Sequence, residues 1–199
     1  KVGSAAHVHQ SLFKGDTNIL HDANAPITMS DTMKSYVAGL IKYAPDMTVF
    51  LAPYVNSYKR FLAGTFAPTK IAWSVDNRTA GYRLVGDGTK GVRIECRIPG
   101  SDINPYLACA VQLAAGIAGM EEKLSLEDPV SGDVYNMTNV PEIPNTLRLA
   151  TEALRGSNML RTAMGDDVID HYTRAAEVEQ EMFDAAVTDW EIQRGFERA

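Results

Sequence analysis

The stretch Gly91-Val92-Arg93-Ile94-Glu95-Cys96-Arg97-Ile98-Pro99-Gly100 alternates apolar and charged side chains with a period of two. This alternation is typical of a β-strand that covers a core with one face, because successive side chains of a strand point to opposite faces. The apolar row comprises Val92, Ile94, Cys96 and Ile98, and the charged row comprises Arg93, Glu95 and Arg97. Two guanidinium groups around one carboxylate suit an anionic ligand, a metal ion or both.

Glu95 fits two interpretations from this pattern alone. In the first, its carboxylate forms a buried ion pair with the flanking arginines, and its role is structural. In the second, it is a metal ligand, and the arginines bind the anions that the metal also contacts. The strand by itself leaves both open.

Basic residues are concentrated in the middle of the chain. Residues 56–97 carry eight Lys and Arg against three Asp and Glu, whereas residues 98–199 carry seven against eighteen. A basic segment in a chain of net charge −6 indicates a local anion site. Its side chains lack the aromatic–basic interleaving of a nucleic-acid surface, so no nucleic-acid partner is expected.

Five arginines within 38 residues are the candidates for this anion site, namely Arg60, Arg78, Arg83, Arg93 and Arg97. Solvated surface charges are the alternative, and they would be the favoured interpretation of any single arginine. Desolvating several cations together costs several kcal/mol each unless anions compensate. ATP phosphates and carboxylate substrates are suitable anions.

Composition indicates a globular protein in a reducing compartment. The chain has 199 residues, 45% of them apolar, which fits one domain or part of a larger one. No apolar run is long enough to span a membrane, so no membrane partner is expected. The two cysteines, Cys96 and Cys109, form no disulfide framework, which favours the cytoplasm. The chain opens at Lys1 rather than Met, which is compatible with a truncated N-terminus.

Periodicity and capping residues predict an α+β fold. Strands are expected over 3–12, 71–75 and 82–85, with a polar turn at 76–79 and a hairpin turn at 86–88. Helices are expected over 31–43, 47–51, 106–124, 145–155 and 167–196, the third of them buried. Residues 14–28, 56–69 and 125–143 are expected to be loops. Antiparallel strands followed by helices are typical of the α+β class.

The sequence His7-Val8-His9 places two imidazoles on one face of the first strand. Two such side chains can bind a divalent metal or a phosphate. An exposed polar strand face is the alternative.

Four motifs in order resemble the C-terminal catalytic domain of the glutamine synthetase family over nearly the whole chain. They are Gly3-Ser4-Ala5-Ala6-His7-Val8-His9-Gln10-Ser11, Asn56-Ser57-Tyr58-Lys59-Arg60, Ala67-Pro68 through Trp73-Ser74 to Asn77-Arg78, and Arg93-Ile94-Glu95-Cys96-Arg97 followed by Asn104-Pro105-Tyr106. The resemblance implies a curved antiparallel sheet, forming a partial barrel, with helices packed outside. It also implies that residues 1–199 are the C-terminal part of that domain, and that the N-terminal β-grasp domain and the first part of the catalytic domain are absent.

The resemblance assigns roles to particular residues. His7 and Glu95 look like ligands of the metal on the nucleotide phosphates. Arg60 looks like the arginine that binds the glutamate carboxylate, and Arg97 looks like the arginine at the reacting γ-carboxyl of glutamate. These two are the implied catalytic residues. Gly3, Phe66 and Arg78 complete the implied substrate contacts. The implied nucleotide contacts are His9, Ser11, Arg78, Arg83, Lys90 and Arg93.

The implied reaction is an ATP-dependent ligation of the glutamate γ-carboxyl to ammonia or an organic amine, with Mg²⁺ or Mn²⁺. Because a carboxylate is a poor electrophile, ATP first converts it to an acyl phosphate, which the amine then displaces. The family works as a homo-oligomeric ring with active sites between subunits. The family's other carboxylate metal ligands precede the matched region, so this chain is expected to be inactive alone.

Three residues depart from the family pattern. Val2 stands where Asn is usual, and Ala5 stands where Gly is usual, which narrows the permitted backbone there. Phe66 stands where a Glu normally closes over the site and helps to hold ammonium. A phenyl ring cannot bind ammonium but can pack against the alkyl part of a larger amine, so Phe66 predicts an organic amine as the nucleophile.

Two other functions compete with the ligase. A guanidino-type phosphotransferase also uses an arginine cage for ATP but does not need His7, His9 and Glu95 as metal ligands. A non-catalytic glutamine-synthetase-like structural or regulatory protein would keep the fold without turnover. Retention of His7, Arg60, Glu95 and Arg97 argues against such a loss of function.

Overall fold

The computed structural model describes residues 3–196 and residue 198. Val2, the first departure from the family pattern, lies outside them. The described residues form six strands, β1 to β6, at Val8–Gln10, Phe13–Lys14, Thr17–Asn18, Trp73–Val75, Tyr82–Val85 and Arg93–Cys96. Seven helices, α1 to α7, span Asp31–Lys42, Ala44–Leu51, Pro105–Glu121, Leu147–Arg155, Asn158–Met164, Asp166–Ala185 and Asp189–Phe196. Short 3₁₀ helices occupy Val55–Arg60 and Val134–Asn136.

The main sheet has the strand order β1-β6-β5-β4 and is open at both edges. The motif strand β6 lies in its interior, antiparallel to β1 on one side and to β5 on the other. All four members of its predicted apolar row, Val92, Ile94, Cys96 and Ile98, are fully buried. The α+β class and the orientation of this strand are therefore confirmed.

The sheet is mixed rather than wholly antiparallel, which corrects the expected arrangement. Strands β4 and β5 pair in parallel, with Trp73 opposite Tyr82 and Val75 opposite Leu84. Parallel neighbours usually need a long crossover. Here the residues 76–81 suffice, because β4 is only three residues long and the chain reverses at Asp76, which has a φ of 48°. The predicted polar turn at 76–79 is present. It carries the chain back to the start of β4, so that β5 runs parallel to β4.

Helix α1 begins where the capping signal predicts. The Ser30 side chain accepts a hydrogen bond from the Met33 backbone N–H, which satisfies one free donor of the first turn. The apolar residues Met33, Tyr36, Val37 and Leu40 of this helix are buried. The Tyr82 hydroxyl of β5 donates to the Leu40 carbonyl at 3.0 Å, so α1 lies against the apolar face of the sheet.

Helix α3 begins at its predicted cap, since the Asn104 side chain accepts from the backbone N–H groups of Tyr106 and Leu107. The expectation that it is buried is only half right. Ala108, Val111, Ala115 and Gly116 face the core, but the opposite face is exposed, and 86% of Tyr106 is accessible. An Ala-rich composition gives no amphipathic period, so the sequence could not distinguish a half-buried helix from a buried one.

Other boundaries differ in detail. The predicted loop 14–28 contains most of the small β2–β3 hairpin, and the predicted loop 56–69 contains most of the 3₁₀ helix Val55–Arg60. The predicted helix 167–196 is two helices, α6 and α7, and α5 was not predicted. No helix in residues 3–196 is long and apolar enough to cross a membrane.

Candidate active site

The Glu95 carboxylate is the centre of a charged cluster on the polar face of the sheet. It is 2% exposed and accepts hydrogen bonds from Arg83 Nη1 at 2.9 Å and from Arg97 Nη1 at 3.0 Å. His7 Nδ1 lies 3.0 Å from Glu95 Oε1, and His9 Nε2 lies 3.6 Å from the same oxygen. The structure therefore brings together two histidines and two arginines that the sequence separates by up to 90 positions.

Strand register explains this cluster. On β6, Glu95 is directly opposite His9 of β1 and directly opposite Arg83 of β5. Cross-strand partners have neighbouring side chains on the same face, so the three form one row across the sheet. The row lies on the polar face because the alternate residues, such as Ile94 and Cys96, fill the core.

Partly buried polar contacts on the opposite face hold β1 in place. The Gln10 amide donates to Gln112 Oε1 of α3 at 2.9 Å and accepts from the Tyr36 hydroxyl of α1 at 2.6 Å. Gln112 itself is fully buried and donates to the Ala108 carbonyl. Because Gln10 follows His9 directly, this network fixes the strand that presents the histidines.

The cluster sets the ionisation of its members. Burial alone would raise the pKa of the Glu95 carboxyl, but the hydrogen bond from Arg83 and the charges of Arg97 and His7 outweigh it, and the pKa lies below its usual value. Burial and the nearby Arg97 charge lower the pKa of His7. At neutral pH the pair is therefore a carboxylate and a neutral imidazole, the forms in which both groups bind metals.

His7 and Glu95 fit two positions of a divalent metal's coordination shell. Carboxylate oxygen suits Mg²⁺ and Mn²⁺, and imidazole accompanies it at transition-metal sites. Within the described part of the chain, no group of three His, Cys, Asp or Glu side chains could hold a metal. His7 and Glu95 could therefore hold a metal only together with further ligands.

Arg60 lies in a second region, at the end of the 3₁₀ helix Val55–Arg60. It is 9% exposed, and its Nη2 donates to the Ile98 carbonyl. Its Nε and Nη1 are buried and have no hydrogen-bond partner among the described residues. Burial lowers the pKa of Arg60. A buried guanidinium with two unpartnered nitrogens is costly unless an anion binds there.

Gly3, which the resemblance implies is another substrate contact, lies beside Arg60. A Cβ on Gly3 would be 3.1 Å from Arg60 Cγ, so any larger residue would crowd the arginine. Both residues line a cavity of about 420 Å³. Ala5 forms an antiparallel bridge with Gly100 and is not among the residues with positive φ. An Ala at this position is therefore compatible with its backbone.

Phe66 and Arg97 connect a third region to the Glu95 cluster. Arg97 Nη2 donates to the Phe66 carbonyl at 3.4 Å, and Arg97 Nε donates to the Arg78 carbonyl at 3.2 Å. Phe66 has a φ of 57°, a left-handed conformation that is unusual for a bulky residue, and 62% of it is exposed. Phe66 and Arg78 line a cavity of about 460 Å³ together with Asp76, Asn77, Thr79, Arg83 and Gly132.

The predicted nucleotide contacts are not all brought together. Arg93 Nε donates to His9 Nδ1 at 3.3 Å, which joins these two residues at the rim of the cluster. The Lys90 carbonyl accepts from the Asn18 amide at 3.0 Å, which ties the β5–β6 connection to β3. The side chains of Ser11 and Lys90 are exposed and contact none of the cluster residues by hydrogen bond or ion pair.

Sequence reasoning missed two carboxylates. Asp76 is ion-paired with Arg83 and lines the cavity of Phe66. Asp102 accepts from the Ser57 hydroxyl at 2.6 Å and lines the cavity of Arg60. Both lie in turns next to the motif residues Asn77-Arg78 and Asn104-Pro105, and that adjacency was the available signal.

Comparisons with known proteins identify relatives of this chain. The family model for the glutamine synthetase catalytic domain matches residues 1–195. The chain is 44% identical over 197 residues to gamma-glutamylethanolamide synthetase GlnA4 of Streptomyces coelicolor, covering 98% of this chain and 42% of that protein. It is 41% identical over 199 residues to the glutamine synthetase of Thermus thermophilus, covering 96% of this chain and 45% of the relative.

Solved structures give the same result. The structure titled GmaS/ADP complex superimposes with a TM-score of 0.88 at 27% identity, over 98% of this chain and 46% of that one. The chain thus spans less than half the length of the relatives it matches. With the family model covering almost every residue, the chain belongs to the glutamine synthetase family.

Proposed function

We propose that the protein carrying this chain is an ATP-dependent ligase that joins the γ-carboxyl of glutamate to an organic amine through a γ-glutamyl phosphate. One observation carries the proposal. The buried Arg97 contacts both the Glu95 carboxylate, at 3.0 Å, and the Phe66 carbonyl, at 3.4 Å. It thereby connects the region suited to metal and phosphate with the cavity suited to the amine.

The arrangement meets the electrostatic needs of each step. A carboxylate becomes reactive when ATP phosphorylates it, and negative charge then spreads over the transferring phosphoryl group. We assign Arg97 to the stabilisation of that charge, and Arg60 offers two unpartnered nitrogens, Nε and Nη1, to the other carboxylate of glutamate. His7 and Glu95 would help to hold Mg²⁺ or Mn²⁺, which neutralises phosphate charge when bound.

The nucleotide is proposed to lie along the rim formed by His9 and Arg93. Arg78 and Arg83 line the cavity that Phe66 also lines, and from there they can reach phosphate oxygens of the nucleotide. Ser11 and Lys90 have exposed side chains on the segments that follow β1 and precede β6. We assign both to the nucleotide because the family resemblance implies it, and a bound nucleotide would supply the partners that their side chains lack among the described residues.

Phe66 supports an organic amine rather than ammonia as the nucleophile. Its ring is exposed in a cavity of about 460 Å³, which has room for a small organic molecule. A ring can pack against methylene groups, but it has no carboxylate that could pair with ammonium or take its proton. The Streptomyces relative is named for γ-glutamylethanolamide, the amide of such an amine.

The active form is proposed to be a homo-oligomeric ring in the cytoplasm. No group of three metal-ligating side chains is found among the described residues, so we assign the further ligands to another part of a longer protein or to a neighbouring subunit. Cys96 and Cys109 are unpaired, which agrees with a reducing compartment. The family match favours this ligase over a guanidino-type phosphotransferase.

The experiment is phosphate release by the full-length protein with ATP, glutamate and one amine at a time. The panel comprises ammonia, alkylamines, polyamines and ethanolamine. We expect release to require glutamate and at least one organic amine to give a higher kcat/KM than ammonia. A higher kcat/KM for ammonia than for every organic amine would contradict the amine assignment, and release without glutamate would contradict the ligase.

A further inference from the structure

A mostly apolar cavity of about 370 Å³ is lined by residues of α2, of α6 and of the start of α3. Three aromatic side chains line it, those of Phe50, Tyr54 and Tyr172. The rings of Phe50 and Tyr172 meet edge to face, with their centres 5.2 Å apart. The cavity has the size of a site for a small organic molecule, and none of its lining residues is assigned above to glutamate, nucleotide, amine or metal.

Two carboxylates line the same cavity, those of Asp102 and Glu179, and no Lys, Arg or His among the described residues lines it. Neither carboxylate forms an ion pair of 4.0 Å or less with another described side chain. Negative charge beside low-dielectric walls produces a potential that attracts cations. The cavity therefore combines an apolar interior with uncompensated negative charge.

Both carboxylates contact one short helix. The Val55 backbone N–H donates to Glu179 Oε1 at 3.4 Å, and the Ser57 hydroxyl donates to Asp102 Oδ2 at 2.6 Å. Val55 and Ser57 belong to the same 3₁₀ helix, Val55–Arg60. These contacts bring the two acidic side chains to one side of the cavity, and the two donors are neutral, so the negative charge remains.

The cations of that 3₁₀ helix are directed elsewhere. The Lys59 ammonium group lies 5.7 Å from the centre of the Phe183 ring, and Arg60 Nη2 donates to the Ile98 carbonyl. A metal ion is a poor occupant, because two carboxylates fall short of its usual ligand number and the described residues contain no group of three metal-ligating side chains. Aromatic faces attract organic cations, and apolar walls favour hydrocarbon groups.

We propose that this cavity binds an organic ammonium ion that carries an apolar group. The cationic nitrogen would lie near Asp102 and Glu179, and the apolar group would pack against the aromatic rings. No bond forms or breaks on binding. The site is separate from the Phe66 cavity of the reacting amine, and the inference does not depend on the proposed ligase. An occupant would adjoin the helix that ends at Arg60.

The test measures binding of benzyltrimethylammonium to the full-length protein by isothermal titration calorimetry, without ATP or glutamate. Its quaternary nitrogen has no N–H and no lone pair, so it cannot serve as the nucleophile of a ligase. We expect saturable binding of one molecule per subunit. Benzyl alcohol, which has the same ring and no charge, should bind at least about tenfold more weakly.

Two substitutions locate the site. Glu179→Gln should raise the Kd by about fivefold, the upper range for a partly exposed ion pair. Val178→Arg places a guanidinium at the cavity from a position that is 38% exposed, and it should raise the Kd by more than about tenfold. Glu152→Gln is the matched control for Glu179→Gln, because Glu152 is exposed on α4 and does not line the cavity.

Four results overturn the inference. They are absence of saturable binding to the unsubstituted protein, equal affinity for benzyl alcohol, an unchanged Kd in both Glu179→Gln and Val178→Arg, and loss of binding in Phe66→Ala, which would place the ligand in the cavity of the reacting amine. If Val178→Arg does not fold, Ala175→Arg, at another exposed lining position of α6, is measured against the same criteria.

Discussion

The Glu95 carboxylate and the Arg97 guanidinium, two positions apart in the sequence, form an ion pair of 3.0 Å in which both side chains are at most 5% exposed. The two buried charges compensate each other. Removal of one partner destabilises the folded chain, because the other charge is left desolvated and unpaired. Arg83 Nη1 contacts the second oxygen of Glu95 at 2.9 Å, so the carboxylate compensates two cations. The stability of the sheet therefore depends on a residue that we also assign to the metal.

We expect Glu95→Gln to lower the free energy of unfolding at pH 7 by roughly 3 kcal/mol, the cost of breaking a buried ion pair. Because the pKa of Glu95 in the folded chain lies below 4.5, its contribution is present above pH 4.5 and is lost as the pH falls through the folded pKa. Urea unfolding between pH 7 and pH 3 measures this. The gap between the two proteins should shrink below pH 4.5.

Glu152→Gln is the control, since Glu152 is exposed on α4. It should leave the unfolding free energy unchanged within about 0.5 kcal/mol, as is usual for surface substitutions. A gap between wild type and Glu95→Gln that stays constant down to pH 3 would contradict the ionised Glu95.

A close helix crossing gives a second prediction. A Cβ on Gly119 of α3 would lie 2.6 Å from Gly39 Cα of α1, and the crowded atoms belong to the backbone, so the helices must separate. Gly119→Ala should lower the free energy of unfolding by about 2 kcal/mol, because overpacking outweighs the gain in helix propensity.

Gly195→Ala is the matched control for that change. Gly195 is in α7 and a Cβ there would meet no atom within 4 Å, so this variant should be neutral or slightly more stable. Urea unfolding of both variants measures the difference. Equal stabilities would show that α1 and α3 do not cross this closely.

Part of this fold could be predicted from local patterns and part could not. The period-two row of β6 and the caps Ser30 and Asn104 identified their elements, because each depends on neighbouring residues only. The parallel pairing of β4 with β5 depends on how the chain returns after Asp76, and the exposed face of α3 depends on what packs against it. Properties that depend on tertiary packing produce no periodic pattern in the local sequence.

The amine assignment depends on Phe66 and gives a third prediction. Phe66→Glu should lower the ratio of kcat/KM for the best organic amine to that for ammonia by at least about tenfold, the range that a hydrophobic pocket contact supplies. The backbone φ of 57° constrains Phe and Glu alike, so the variant changes the side chain without new backbone strain.

Phe13→Glu is the control, because Phe13 is a similarly exposed phenylalanine, on β2 and not among the residues that line the cavity. It should leave the ratio unchanged. Equal ratios for wild type and Phe66→Glu would show that Phe66 does not select the amine.

The isolated chain of 199 residues gives a fourth prediction. Because the proposed metal site has only two ligands, His7 and Glu95, among the described residues, the isolated chain should show no phosphate release that depends on both ATP and glutamate. The full-length protein under the same conditions is the positive control. Turnover by the isolated chain would contradict the partial metal site.

The candidate site shows the same division between local and tertiary information. Arg60, Arg97 and Glu95 could be predicted because they belong to motifs of the family. Asp102 could not, since its relation to Arg60 arises from the packing of the 3₁₀ helix Val55–Arg60 against the segment after Ile98. The proximity of His7 to Glu95 was expected from the resemblance, and the distance of 3.0 Å agrees with it.

The most direct test of the central claim follows an oxygen atom. Full-length protein is supplied with ATP, an organic amine and glutamate labelled with ¹⁸O in its γ-carboxyl, and the released phosphate is analysed by mass spectrometry. If a γ-glutamyl phosphate forms, the amine displaces phosphate that retains one carboxyl oxygen, and each phosphate should carry one ¹⁸O. Glutamate-dependent phosphate without ¹⁸O would show that the γ-carboxyl is not the group that ATP activates, and would contradict the account.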